Sequence, residues 1–190
     1  QTEVVVVEVR DAQGISNVPI VIGLTARNRL YCGETLLVAG ASSFAVNKQL
    51  GVLMYITVGT TPALHFVPLD AVAKLDLMQG VDGDDQYRPE LYDAAFPPRP
   101  VERGSRLVAS ISGHPNVVVQ LPRGNLEAFE PRALLLAQTR CLLDTEDPSA
   151  YLECLTLLRR QRIDMNFLVD YKPQAFLDIG PSLVQVCLSR

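Results

Sequence analysis

The chain is 190 residues long, 48% hydrophobic and 20% charged, which is enough apolar material for a core and too much for a disordered segment. Tryptophan is absent and aromatic residues make up only 6%, which argues against a base-stacking platform for nucleic acid. The net charge of −4 is uneven: residues 1–98 hold 6 Lys/Arg against 11 Asp/Glu and residues 99–190 hold 11 against 10, so bulk electrostatics do not point to tight RNA or DNA binding.

In chain order, Val4–Val9 is an apolar, β-branched run that predicts a buried strand, and Val18–Thr25 predicts a second after the turn residues of Asp11–Asn17. Further strands are expected at Leu30–Cys32, Thr35–Ala39, Ser43–Val46, Leu50–Val58 and Leu64–Pro68, none of them separated by a helical pattern. Many short strands with tight turns suggest a sandwich, a barrel or a propeller. Residues Gln79–Pro100, rich in glycine, aspartate and proline, read as a solvent-exposed loop. Its Asp82, Asp84 and Asp85 lack the glycine and closing glutamate of an EF-hand, so no metal site is assigned there. Strand pattern returns at Arg106–Ser112 and Asn116–Leu121, which makes the loop an insertion in a β domain that runs to residue 126.

The period then changes from two to three and a half. Pro122, Gly124 and Asn125 mark the change, and Pro131 suits the first turn of a helix. Leu134, Ala137 and Cys141 share one helical face. Asp147 and Pro148 read as N-cap and first residue of a second helix, whose apolar face is Tyr151, Leu155 and Leu158. Ile163–Tyr171 and Pro173–Ile179 predict two more helices, and Gly180-Pro181 an interruption before Ser182–Arg190. The expected fold is thus β then α, propeller blades over 1–126 and the first helices of an α-solenoid over 127–190, with no repeat of fixed period visible.

The cysteines, Cys32, Cys141, Cys154 and Cys187, form no CxxC pair, and with only His65 and His114 beside them zinc-ligand spacing is missing. Each stands among aliphatic residues, which predicts reduced, buried thiols and a reducing compartment. No apolar run reaches membrane-spanning length and no signal-peptide pattern opens the chain, so no membrane partner is expected. The chain enters a strand directly from Gln1, which reads as a piece of something larger. An isolated piece of propeller is expected to leave a sheet edge open and to associate through it.

Several ordered blocks resemble a known family. PRGNLE and PRALLLAQ (Pro122–Glu127, Pro131–Gln138) are similar to the signature of the largest, scaffold subunit of the Elongator complex, the IKAP family. Upstream, NRLYCG (Asn28–Gly33), SSFAV (Ser42–Val46) and VERGSRLV (Val101–Val108) resemble the end of that subunit's second WD-type propeller; downstream, RQRIDMNFLVDYKPQAF (Arg160–Phe176) resembles the opening of its helical domain. The blocks span Asn28–Phe176 in order, with no matching motif within the 79–100 loop. It implies a non-catalytic scaffold in a complex that modifies wobble uridines of tRNA, with the chemistry in a radical-SAM, acetyl-CoA-dependent partner subunit. It also implies a cytoplasmic location, with the nucleus open as a second compartment, and dimerisation through a more C-terminal region absent from this chain.

The residues agree with that reading. There is no GxSxG, P-loop or GxGxxG, and no Cys–His pair is evident, so no catalytic residue, cofactor or metal ligand is assigned. Arg123, Gly124 and Asn125, with Pro131, read as the junction between the two halves, Gly124 taking a positive φ and Arg123 pairing with an acidic neighbour. Arg159, Arg160, Arg162 and Lys172 are the candidates for an RNA or partner contact, expected to lie together where two helices meet; the alternative is a solvated helix end. Two other readings stay open at this point: a vesicle-coat or nuclear-pore scaffold of the same architecture, and an enzyme domain.

Overall fold

The computed structural model describes residues 2–11, 14–77 and 96–188, which fall into two compact units dividing between Leu134 and Leu135.

In the first unit every sheet is an antiparallel meander. The first contains β1 (Thr2–Asp11), β2 (Gly14–Leu24), β3 (Arg29–Cys32) and β4 (Thr35–Ala39) in that order. The second contains β5 (Ala41–Asn47), β6 (Val52–Thr57), β7 (Ala63–Pro68) and the two-residue β8 (Arg99–Pro100). The third has only β9 (Arg106–Ser110), β10 (Val117–Gln120) and β11 (Leu126–Phe129). Period-two alternation sets which face is buried: Ile20 and Ile22 of β2 have no exposed surface, while Val21 between them is 45% exposed. β6 is buried along five consecutive residues, as expected of a central strand covered on both faces.

Three differences from expectation have local causes. A helix, α1 (Leu69–Leu77), follows β7; its Leu69, Val72 and Ala73 fall at i, i+3 and i+4 and enter the core with Ile20, Ile22 and Tyr55. No element is expected between Pro68 and Gln79, where a helix of only nine residues is too short for its period to stand out. The expected 79–100 loop ends in β8, which pairs Arg99 and Pro100 with Leu64 and Ala63; residues 78–95, with Asp82, Asp84 and Asp85, lie outside the described residues. The sheet also continues past residue 126, because β11 pairs with β10 as far as Phe129. The expected end of the β domain falls inside that strand.

The second unit takes up α2 (Arg132–Leu143), which spans the division between the units, and then α3 (Pro148–Arg160), the single turn α4 (Phe167–Asp170) and α5 (Pro173–Leu188). Its core gathers Leu143, Tyr151, Cys154, Leu158, Leu168 and Ile179. The face of α3 is rotated from the expected stripe, so that Cys154 and Leu157 are buried and Leu155 only half-buried. The expected helix over Ile163–Tyr171 shrinks to one turn, since the Asp164 carboxylate accepts the Asn166 N–H at 3.0 Å and holds the chain in a side-chain turn. Gly180-Pro181 does not interrupt α5: the proline lies within the helix, on the side where Leu177 and Val184 are exposed and water can reach the backbone. Among the described residues, no helix is long and apolar enough to cross a membrane.

Candidate functional site

The PRGN stretch closes the β10–β11 hairpin. Leu121 accepts from the Gly124 N–H at 2.9 Å and donates its own N–H to Asn125 at 2.8 Å, a type I turn completed by a bulge glycine. Pro122 occupies the position whose φ it presets, and Gly124 has φ +89°, a conformation that costs other residues roughly 1 kcal/mol or more. Gly124 therefore does what its sequence context predicts. Arg123 and Asn125 are exposed at the hairpin tip, and Arg123 makes no ion pair with any described residue, contrary to the expected acidic partner. The triplet is a hairpin turn one strand before the helices, not the junction itself. Pro131 does stand at the helix entry, buried, with its carbonyl accepting the Leu134 N–H at 3.0 Å.

The four basic residues do not form one patch. Arg159 and Arg160 close α3, and Arg162 follows in the left-handed conformation, φ 53°. Ile163 N–H bonds the Leu158 carbonyl at 2.9 Å and Arg162 N–H that of Arg159 at 3.3 Å, the paired bonds that end a helix, with an arginine where glycine is usual. All three arginines are exposed. Lys172 belongs to the opposite end of α3, where its Nζ lies 2.8 Å from Asp144 and 3.2 Å from Glu146. With a rise of 1.5 Å per residue, those ends are about 18 Å apart. The hydrogen bond to Asp144, followed by that to Glu146, holds the ammonium pKa above its ordinary value despite some desolvation. An open pocket of 360 Å³ beside it is lined by Glu146, Lys172, Gln174 and Asp178. A cation already neutralised by two carboxylates is a poor phosphate ligand, so Lys172 leaves the candidate set.

The chain matches the family described as ELP1 N-terminal second beta-propeller over residues 1–108 and that described as ELP1 alpha-solenoid over residues 132–187. It belongs to the Elongator complex protein 1 family. Elongator complex protein 1 of Schizosaccharomyces pombe is 37% identical over 163 residues, which is 86% of this chain and 12% of the relative. The Rattus norvegicus protein of that name is 33% identical over 88% of the chain, and the Saccharomyces cerevisiae one 29% identical over 84%. The chain thus spans about an eighth of the length of its first relatives (12%). The first two meanders fall within the propeller match and the helices within the solenoid match, in that order along the chain.

One polar site escaped sequence reading. Asn47, at the end of β5, has no exposed surface. Its Nδ2 donates at 3.0 Å towards Ser110 Oγ and the carbonyls of Ile111 and His114, while its Oδ1 accepts from Leu50 N–H at 3.1 Å and Gly113 N–H at 3.4 Å. Four residues earlier on the same strand, Ser43 Oγ accepts the Leu107 N–H at 2.8 Å. These two side chains lock the second sheet to the third. His114 contributes its backbone there, and His65 stacks flat on Tyr55 with ring centroids 5.0 Å apart, so both histidines have structural surroundings. Among the described residues no group of His, Cys, Asp or Glu is placed to hold a metal ion. Cys32 and Cys154 are buried thiols, but Cys141 is exposed on the outer side of α2; the side chain of Cys187 lies outside the described residues.

Proposed function

We propose that this stretch works as a structural mount in an Elongator subunit, holding partner subunits while a different, radical-SAM and acetyl-CoA-dependent subunit modifies wobble uridine in tRNA. The observation that carries the proposal is that both halves match, in order, two domains of one protein type. The architecture supports it physically: antiparallel blades cross-linked by buried polar bonds are rigid, and helices stacked after them extend the reach to partners. In this reading the chain needs no cofactor, acts in the cytoplasm with a nuclear pool as the second compartment, and takes no part in a membrane. Self-association of the whole subunit belongs to a region outside this stretch.

Arg159, Arg160 and Arg162 are the residues proposed to touch tRNA phosphates. What supports them is their exposure together at one helix end, and the left-handed φ that Arg162 keeps at a position where glycine is less strained. Replacing all three with glutamate in the assembled complex is expected to weaken tRNA binding at low salt; unchanged affinity removes the RNA contact from the proposal. The mount itself is tested by placing this chain in the S. pombe relative in place of the matched segment. Recovery of the other Elongator subunits with the chimera is the expected result, and their loss with the chimera still folded overturns it.

A further inference from the structure

Turns from all three sheets meet at one end of the first unit. Asn28, between β2 and β3, accepts the Gly40 and Ala41 N–H groups at 2.7 and 2.8 Å, and Gly40 accepts that of Val58, just after β6, at 2.7 Å. The Val101 N–H reaches the Pro62 carbonyl at 3.1 Å, and the loop beyond it lays Gly104 against the Pro122 ring of the β10–β11 hairpin. Residues 25–29, 58–62, 99–106 and 121–125 therefore share a rim, and they carry six arginines and a single carboxylate, Glu102. Arg27, Arg29, Arg99, Arg103, Arg106 and Arg123 are all exposed, and none forms an ion pair with a described residue. The opposite end differs: there Lys48 pairs with Glu3 at 3.4 Å and Lys74 with Asp70 at 3.6 Å. Two large apolar side chains stand among the arginines, Val58 at 48% exposure and Leu126 at 64%.

We infer that this rim is a docking surface for an acidic segment of a partner protein, one that carries aliphatic side chains between its carboxylates. Like charges gathered on one rim repel one another, and an acidic occupant turns that repulsion into attraction. The charge is guanidinium throughout, the group whose planar fork holds a carboxylate through two hydrogen bonds. Val58 and Leu126 decide between polyanions. An RNA backbone offers phosphate to the arginines and nothing to cover two aliphatic side chains, whereas a segment mixing Glu or Asp with Leu or Val serves both. Phe129, the ring nearest these arginines, already lies under the Arg99 guanidinium at 3.9 Å and is not open to a stacked base. The inference rests on the rim alone and stands apart from the functional reading.

Fluorescence anisotropy tests it, with a labelled Glu-Glu-Leu repeat peptide titrated with this chain, and polyglutamate and an RNA stem of equal charge as the other probes. The peptide is expected to bind the parent chain more tightly than either. Replacing Arg103, Arg106 and Arg123 together with glutamate is expected to weaken peptide binding by at least about tenfold, and with glutamine by at least about threefold. Lys74→Glu, at the opposite end, is expected to leave it unchanged. Val58→Ser with Leu126→Ser is expected to weaken the peptide by at least about threefold and to leave polyglutamate and the RNA stem unchanged. No binding of the peptide, an equal loss in Lys74→Glu, or no loss in the two serine replacements overturns the inference. An RNA stem that binds as tightly as the peptide makes the rim a phosphate surface, which equally overturns it. Peptide binding that emerges only after Asp82, Asp84 and Asp85 are replaced with asparagine makes the occupant the chain's own acids, and that also overturns it.

Discussion

The carboxamide of Asn47 donates a hydrogen bond of 3.0 Å to the backbone carbonyl of His114, across the boundary between the second and third sheets. Asn47 is fully buried, and the other carbonyl it reaches, that of Ile111, also accepts the His114 N–H at 3.1 Å. Asn47→Ala takes the side-chain partner from the His114 carbonyl and the Leu50 N–H and leaves Ile111 with one donor, and is expected to destabilise the chain by about 3 kcal/mol. Ser110→Ala removes one of the contacts and is expected to cost only about 1 kcal/mol. Denaturant unfolding of both variants against the parent checks the ratio; equal losses would mean that the carboxamide is no keystone.

Arg162 carries a strain that glycine does not. At φ 53° an L-residue costs about 1 kcal/mol relative to glycine, so Arg162→Gly is expected to stabilise the chain by up to that amount, whereas Arg159→Gly, inside the last helical turn, is expected to destabilise it. Thermal unfolding separates the two signs. A complex that gains stability and loses tRNA affinity in Arg162→Gly fits an arginine kept for contact.

Lys172 ties the start of α5 to the turn between α2 and α3 through Asp144 and Glu146. Because its folded pKa lies above the ordinary 10.5, the stabilisation is complete below the unfolded value and is lost as pH rises through the folded one. The groups are partly exposed, so Lys172→Met is expected to cost less than about 1 kcal/mol at pH 8. The gap between parent and variant should shrink above pH 10.5, when unfolding is followed at both pH values. A gap that widens with pH contradicts the ion pair.

The cysteines should react unequally. Burial pushes the Cys154 thiol up to about 12, and Cys32 is buried under α1, with its sulfur 4.0 Å from the Val72 carbonyl. Cys141 is exposed, though desolvation of its sulfur and the neighbouring Asp144 raise its pKa as well. Alkylation of the native chain with peptide mapping is expected to label Cys141 first, slowly at pH 7 and faster at pH 9, and to leave Cys32 and Cys154 unlabelled.

The strand-to-helix switch was legible because period, turn residues and Asp147-Pro148 all agreed, and the Asp147 carboxylate does cap α3 through the Ser149 N–H. Gly124 was legible for a similar reason, since its turn chemistry is local. What failed was what depends on distant partners. β11 is an exposed edge strand with no apolar alternation, and only its pairing with β10 reveals it. Cys141 keeps helical phase with Leu134 and Ala137, yet the packing of α2 leaves it outside. Lys172 is near Arg162 in sequence but is drawn to the carboxylates at the other end of α3. Asn47 sits in a strand like any turn-side asparagine, and apart from Leu50 its partners come from residues more than sixty positions away.

The proposed mount would hold an assembly together and take no part in the chemistry. The direct measurement is modified wobble uridine formed per assembled complex, in the S. pombe chimera with and without Asn47→Ala. The account predicts that the variant lowers the amount of complex and leaves the yield per complex unchanged. A fully assembled complex with lost modification would contradict it.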